Sequence, residues 1–228
     1  MKKKILSLVV ALMFFINTIS TVSATEISNT QLQKEALLST INMSEEIGNA
    51  LNDIIDESVP EDIMKQVDVG VQIIPNDLLH SKVENIDAMD IFDVKYTVKN
   101  VGNIVYEDDN TGTMYSLTAV ATTKESSGEN EVFGVECTIT IVWIDKLGTN
   151  NEFVSVYGGW KANDRVLSDR QVYYGVWEDA NPTSQFPTKN TFSYDVGYNG
   201  LAFEAYSWVS AEDYPYLINC YALTSILD

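Results

Sequence analysis

From about Val67 to the end of the chain, apolar and polar residues take alternate places, the pattern of a pleated strand whose successive side chains point to opposite faces. Val94, Tyr96 and Val98 alternate with Lys95, Thr97 and Lys99, and Leu117, Ala119 and Ala121 alternate with Ser116, Thr118 and Thr122. Further candidate strands run over 132–145, 153–161, 170–178, 201–209 and 216–224. Clusters with turn chemistry separate them: Asp109-Asn110-Thr111-Gly112, Ser126-Ser127-Gly128, Gly148-Thr149-Asn150-Asn151 and Tyr198-Asn199-Gly200. About seven strands at this spacing, without intervening helices, predict a mainly β domain over 67–228, an antiparallel β-sandwich in preference to a barrel.

Residues 25–66 follow another period. Leu37, Leu38 and Ile41, then Ile47, Leu51, Ile54 and Ile55, recur every three or four positions, so the spacing predicts helix over 30–66. Ser44 with Glu45 and Glu46 suits a helix start, the hydroxyl capping a free amide and the carboxylates facing the positive helix end. Pro60 with Glu61 and Asp62 starts a short third helix. This segment is a separate helical region and a candidate pro-segment.

The first 24 residues read as a signal peptide. Lys2, Lys3 and Lys4 precede an apolar run from Ile5 to Ile16, and Val22-Ser23-Ala24 supplies a small-x-small cleavage site. Asn17 and Thr18 break the run well short of the roughly 20 apolar residues a membrane span needs. Cleavage after Ala24 is therefore expected, giving a secreted, extracellular product with no membrane anchor. It would carry 11 basic against 33 acidic residues, a net charge of −22. Nucleic acid and anionic lipid are disfavoured partners, because the field of the whole molecule repels them.

Cys137 falls in phase with Ile139, Ile141 and Trp143, and Cys220 with Ile218 and Ala222, so both thiols point to the apolar faces of their strands. In an exported protein such a pair is expected to form a disulfide, Cys137 to Cys220; two buried free thiols are the alternative.

Four Trp, twelve Tyr and eight Phe make the chain dense in rings, most of them destined for the core. Four fall out of phase with the aliphatic positions Val172, Val176, Leu201 and Phe203. Tyr173 and Trp177 share the face of Gln171, while Tyr206 and Trp208 share the face of Glu204. These four are the candidate ligand-binding residues, since rings beside carboxylates and amides suit either a glycan or a protein partner. The competing reading is a second buried face of cross-strand aromatic pairs.

No catalytic residue, metal site or cofactor is indicated. His80 is the sole imidazole and sits in no nucleophile-elbow context, and zinc clusters, CxxC and glycine-rich phosphate loops do not occur. Carboxylates crowd at Glu107-Asp108-Asp109-Asn110 and at Glu178-Asp179-Ala180-Asn181, but neither cluster fits the twelve-residue calcium loop, so solvated acidic turns are expected.

The stretches Val156-Tyr157-Gly158-Gly159-Trp160, Val172-Tyr173-Tyr174-Gly175 and Asn190-Thr191-Phe192-Ser193-Tyr194 resemble small uncharacterised secreted β-proteins of Gram-positive bacteria, over roughly the last third of the chain. That resemblance implies export and β structure, and no activity, cofactor or site residue. The leading functional reading is a secreted, non-catalytic binding or surface-interaction module; the alternative is a small extracellular hydrolase using paired carboxylates.

Overall fold

The computed structural model describes residues 28–41, 57–75, 91–124, 134–146, 150–163, 165–177, 182–212 and 216–225. The signal peptide, the helix expected after Ser44, His80 and the acidic cluster Glu178 to Asn181 lie outside the described residues. Within them, two helices, α1 (Asn29–Thr40) and α2 (Glu61–Lys65), accompany ten strands: β1 (Val67–Pro75), β2 (Phe92–Val105), β3 (Thr111–Thr123), β4 (Val135–Lys146), β5 (Asn151–Ala162), β6 (Leu167–Val176), β7 (Thr183–Gln185), β8 (Thr191–Gly200), β9 (Phe203–Ala211) and β10 (Tyr216–Thr224).

All pairings are antiparallel, in two five-stranded sheets. Sheet A has the order β1-β10-β9-β6-β7 and sheet B the order β2-β3-β4-β5-β8. The count is thus ten, against the seven expected, the additional strands being β1, β7 and β8. β8 escaped because Asp195, Gly197, Asn199 and Gly200 dilute its alternation and most of it is exposed at an edge. β7 is three residues long, too short for any period to register. Two turn assignments also move: Thr111 and Gly112 open β3, and Tyr198-Asn199-Gly200 closes β8.

The inner faces of the two sheets share one apolar core. Leu117, Ile139, Ile141, Trp143, Phe153 and Val156 come from sheet B; Val172, Phe203, Val209 and Ile218 come from sheet A. Phe153 is the joint, its ring 5.0 Å from Phe203 and 6.3 Å from Tyr174 across the interface. Replacing such a ring by alanine removes both its transfer energy and its packing, about 3–5 kcal/mol.

Cys137 and Cys220 do point into this core and are fully buried, but they are unbridged. Cys137 belongs to β4, whereas the Cys220 sulfur rests on β3, 3.9 Å from the Ala119 carbonyl oxygen. A disulfide needs its sulfurs at about 2 Å, and the two thiols are not at bonding distance. The expected disulfide is therefore corrected: matching phase set the direction of both thiols and not their separation.

A second apolar cluster lies on the outer side of sheet B, under α1. Leu37, Leu38 and Ile41 pack against Ile104, Met114, Val142, Ile144, Val154 and Tyr157. The Ser28 hydroxyl caps the helix by accepting from the Gln31 amide at 3.2 Å. Where Leu37 descends, β2 is bulged between Asn100 and Gly102, and Gly102 has φ +148°; any side chain there would strike the Leu37 methyl. Lys34 forms an ion pair with Glu152, which Lys146 joins at 3.0 Å. Among the described residues no helix is long and apolar enough to cross a membrane.

Candidate functional site on the outer face of sheet A

The two outward faces differ in access. On sheet B the outward positions Ser116, Thr118, Thr138 and Thr140 are buried, and the hydroxyls of Thr118 and Thr140 share a 2.8 Å hydrogen bond between β3 and β4. On sheet A the corresponding positions hold half-exposed rings. Strand register arranges them in rows that run across the strands. Tyr173 of β6 stands opposite Tyr206 of β9, which stands opposite Tyr221 of β10, which stands opposite Gly70 of β1. The next row reads Gln171, Trp208, Asn219, Gln72, and the row on the other side Gly175, Glu204, Leu223, Asp68.

The tyrosines touch one another. Tyr173 and Tyr206 meet edge to face with centroids 5.5 Å apart, and Tyr206 and Tyr221 are tilted at 6.0 Å. Such contacts add about 0.5–1.5 kcal/mol per pair beyond burial and hold each ring in place. Glu204 fixes the hydroxyls: the Tyr206 hydroxyl donates to Glu204 Oε2 at 3.2 Å, and Tyr173 also hydrogen-bonds Glu204. Burial, followed by the Glu204 charge and hydrogen bond, pushes the Tyr206 phenol up to about 12. Tyr173 and Tyr221 are raised as well, burial again coming first. All three rings therefore stay neutral hydroxyl donors and acceptors at physiological pH.

Three of the four expected residues, Tyr173, Tyr206 and Trp208, fall in one patch. Trp177 does not join it. It shares their face but lies four residues beyond Tyr173, about 13 Å along the strand, 45 % exposed and tied by its backbone N–H to the Ala202 carbonyl at 2.9 Å. Leu201, expected to face inward, precedes β9 and is 54 % exposed, so only Phe203 of that pair enters the core. Tyr221, Asn219 and Gln72 were missed. The signal for Tyr221 was present, since a residue next to the inward Cys220 must face outward.

Elsewhere the chemistry is sparse. The turn at Glu107 to Asn110 satisfies itself: Asp108 accepts from the Asn110 backbone at 3.2 Å and from its side-chain amide at 2.7 Å, and Asp109 takes a left-handed φ of 62°. Among the described residues no group of three metal-ligating side chains occurs. A cavity of about 330 Å³ lies at the ends of β3, β4 and β5. Its charged lining is Lys124, Glu136 and Lys161, and its single carboxylate, Glu136, is ion-paired with Lys161 at 3.2 Å.

No protein-family model matches the chain, and comparison with curated proteins and with solved structures yielded no match. The site is therefore read from its own residues.

Proposed function

We propose that this is a secreted, non-catalytic binding module in which a ten-stranded β-sandwich serves as scaffold and the outer face of sheet A makes the contact. The observation that carries this reading is the unbroken row Tyr173, Tyr206, Tyr221 on three neighbouring strands, half-exposed, with the Tyr173 and Tyr206 hydroxyls held by Glu204. Rings already fixed by their neighbours lose little freedom when a ligand covers them, and a rigid aromatic surface surrounded by polar groups is the usual core of a contact patch. The hydrolase alternative finds less support: it needs two carboxylates in a concavity, and the described cavity offers one, already paired with lysine.

The test is a panel of immobilised glycans and proteins probed with the wild-type chain, with Trp208→Ala and with Tyr206→Ala, each variant being checked for its unfolding midpoint. Binding lost by both folded variants supports the reading. Binding that survives both substitutions, or hydrolysis of a glycan by the wild-type chain, would overturn it.

A further inference from the structure

Strand β1 forms one border of sheet A, and among the described residues no strand pairs with its other side. The Gln66 carbonyl accepts from the Ser225 N–H at 2.6 Å, which makes these two a hydrogen-bonded pair of the antiparallel ladder. The register then runs without a bulge to Pro75, so Asp68, Gly70, Gln72 and Ile74 turn their peptide groups to β10. Val67, Val69, Val71 and Ile73 turn theirs away from the sheet, a row of donors and acceptors on which a further strand can form. The other three borders are interrupted. β2 is bulged between Asn100 and Gly102 and its end is filled by Gln33, β7 is three residues long, and β8 is bulged where Val196 and Gly197 stand against Val154. β1 also borders an open seam in the core. Val67, Val69 and Ile73 point between the sheets yet are only half-buried, as are Val94 and Tyr96 on the inner side of β2, and Met64 and Ile91 extend the same seam.

We propose that β1 is a docking edge for an extended segment of another protein, which pairs with it antiparallel, sets every second, apolar side chain into the seam between β1 and β2, and carries lysine or arginine among the outward ones. The peptide groups of Val67, Val69, Val71 and Ile73 supply the main-chain contacts, and the half-open seam selects apolar residues at alternate positions. The charge of the partner follows from the outer side of the border, where its outward side chains stand beside Asp68, Gly70, Gln72 and Ile74. Asp68 is exposed and is the only charged residue of β1; Lys65, just before the strand, is paired with Glu61 at 2.7 Å. Opposite charges on facing positions of neighbouring strands favour pairing, and like charges oppose it. Towards the other end, exposed Ile74 with Leu217 beside it receives the methylene stem of a long basic side chain. The chain as a whole, 33 acidic against 14 basic residues, attracts a basic segment and repels a second copy of itself. This border is distinct from the aromatic face, so its role does not depend on the function proposed above.

The experiment is amide hydrogen exchange of the full chain, without and with a synthetic peptide of about nine residues in which valine alternates with lysine and threonine, its affinity being read from fluorescence anisotropy. In the free chain the amides of Val69, Val71 and Ile73 should exchange faster than those of Gly70, Gln72 and Ile74, which are bonded to β10, and the peptide should slow the first set roughly tenfold. Methyl groups on the valine nitrogens of the peptide, which face β1 in the antiparallel pair, should abolish binding, and methyl groups on its lysine and threonine nitrogens should leave it. Replacing the lysines by glutamates should weaken binding roughly tenfold, and Asp68→Lys, at an exposed position, should reverse that preference. Tyr206→Ala should leave the affinity unchanged. No saturable binding, equal tolerance of both sets of methyl groups, or equal affinity for the lysine and glutamate peptides overturns the inference. Loss of peptide binding in folded Tyr206→Ala moves the site to the aromatic face and overturns it as well. So does protection of Val69, Val71 and Ile73 in the peptide-free chain: if it vanishes on dilution a second copy holds the edge, and if it persists the chain's own residues do.

Discussion

The Tyr221 phenol lies over Gly70, its hydroxyl standing where a Cβ at position 70 would have to go. Strand β1 thus gives up a side chain so that the ring from β10 can lie flat across it, which ends the tyrosine row at the edge of sheet A. Gly70→Val should expel the ring. The expected cost is about 1–3 kcal/mol, the range for forcing extra methyl groups into a filled site, with ligand binding lost alongside. Urea unfolding and the binding panel above measure both, and wild-type stability in Gly70→Val would show that Tyr221 moves freely.

Both cysteines should be silent towards thiol reagents in the folded protein. Burial pushes Cys220 up to about 12 and raises Cys137 well above its ordinary value, Cys220 adding to the latter effect. The thiolate is the reacting form, so neither is available near neutral pH. Iodoacetamide should leave the native chain unmodified and add two carbamidomethyl groups after denaturation, with no reductant required. A mass two hydrogens lighter before reduction would restore the bridge.

Truncating rings should separate surface from core. Trp177→Ala, at 45 % exposure, is expected to change stability by no more than about 0.5 kcal/mol, whereas Phe153→Ala, fully buried between the sheets, should lose about 3–5 kcal/mol. Tyr206→Ala, half-buried with two ring neighbours, should fall between them. Denaturant titration of the three variants gives the order, and a loss at Trp177 as large as that at Phe153 would make it core.

The alternation of Val94 to Val98 and of Leu117 to Ala121 was enough to read sheet structure, because burial on one side of a strand writes itself into every second residue. It was silent on partners. Which strand stands beside which is decided by pairing across long sequence separations, so the meeting of Tyr173 with Tyr206 could be hoped for, while Tyr221 and Gly70, 151 positions apart in the chain, could not be joined at all. Cys137 and Cys220 fail in the same way: their inward phase was right, and whether two inward sulfurs meet at bonding distance is a tertiary property. Asn219 carries no signal of its own in the sequence, since only packing by its neighbours encloses it.

The attachment of α1 should respond to acid. Burial raises Glu152, but hydrogen bonds and charges from Lys34 and Lys146 outweigh it and hold the carboxyl below its ordinary 4.5. A depressed folded-state value means that the pair contributes stability above about pH 4.5, and that this contribution disappears as pH falls through the lower, folded value. The thermal midpoint of wild type should therefore exceed that of Glu152→Gln at pH 7 and converge on it in acid. A constant difference from pH 7 to pH 2 would show that the lysines do not hold the helix through charge.

Gln33 of α1 donates its amide to the Val105 carbonyl at 3.3 Å and accepts from the Val105 N–H at 3.0 Å, filling both hydrogen-bonding groups at the end of β2. Since β2 is the border of sheet B, those are groups with which one molecule could start recruiting the strand of another. A single glutamine imitates the next peptide unit and stops the series there. Loss of the helix would accordingly do more than bare an apolar patch: it would leave an open template for fibre growth, and the seam of Leu37, Leu38 and Ile41 would be what keeps the protein dispersed.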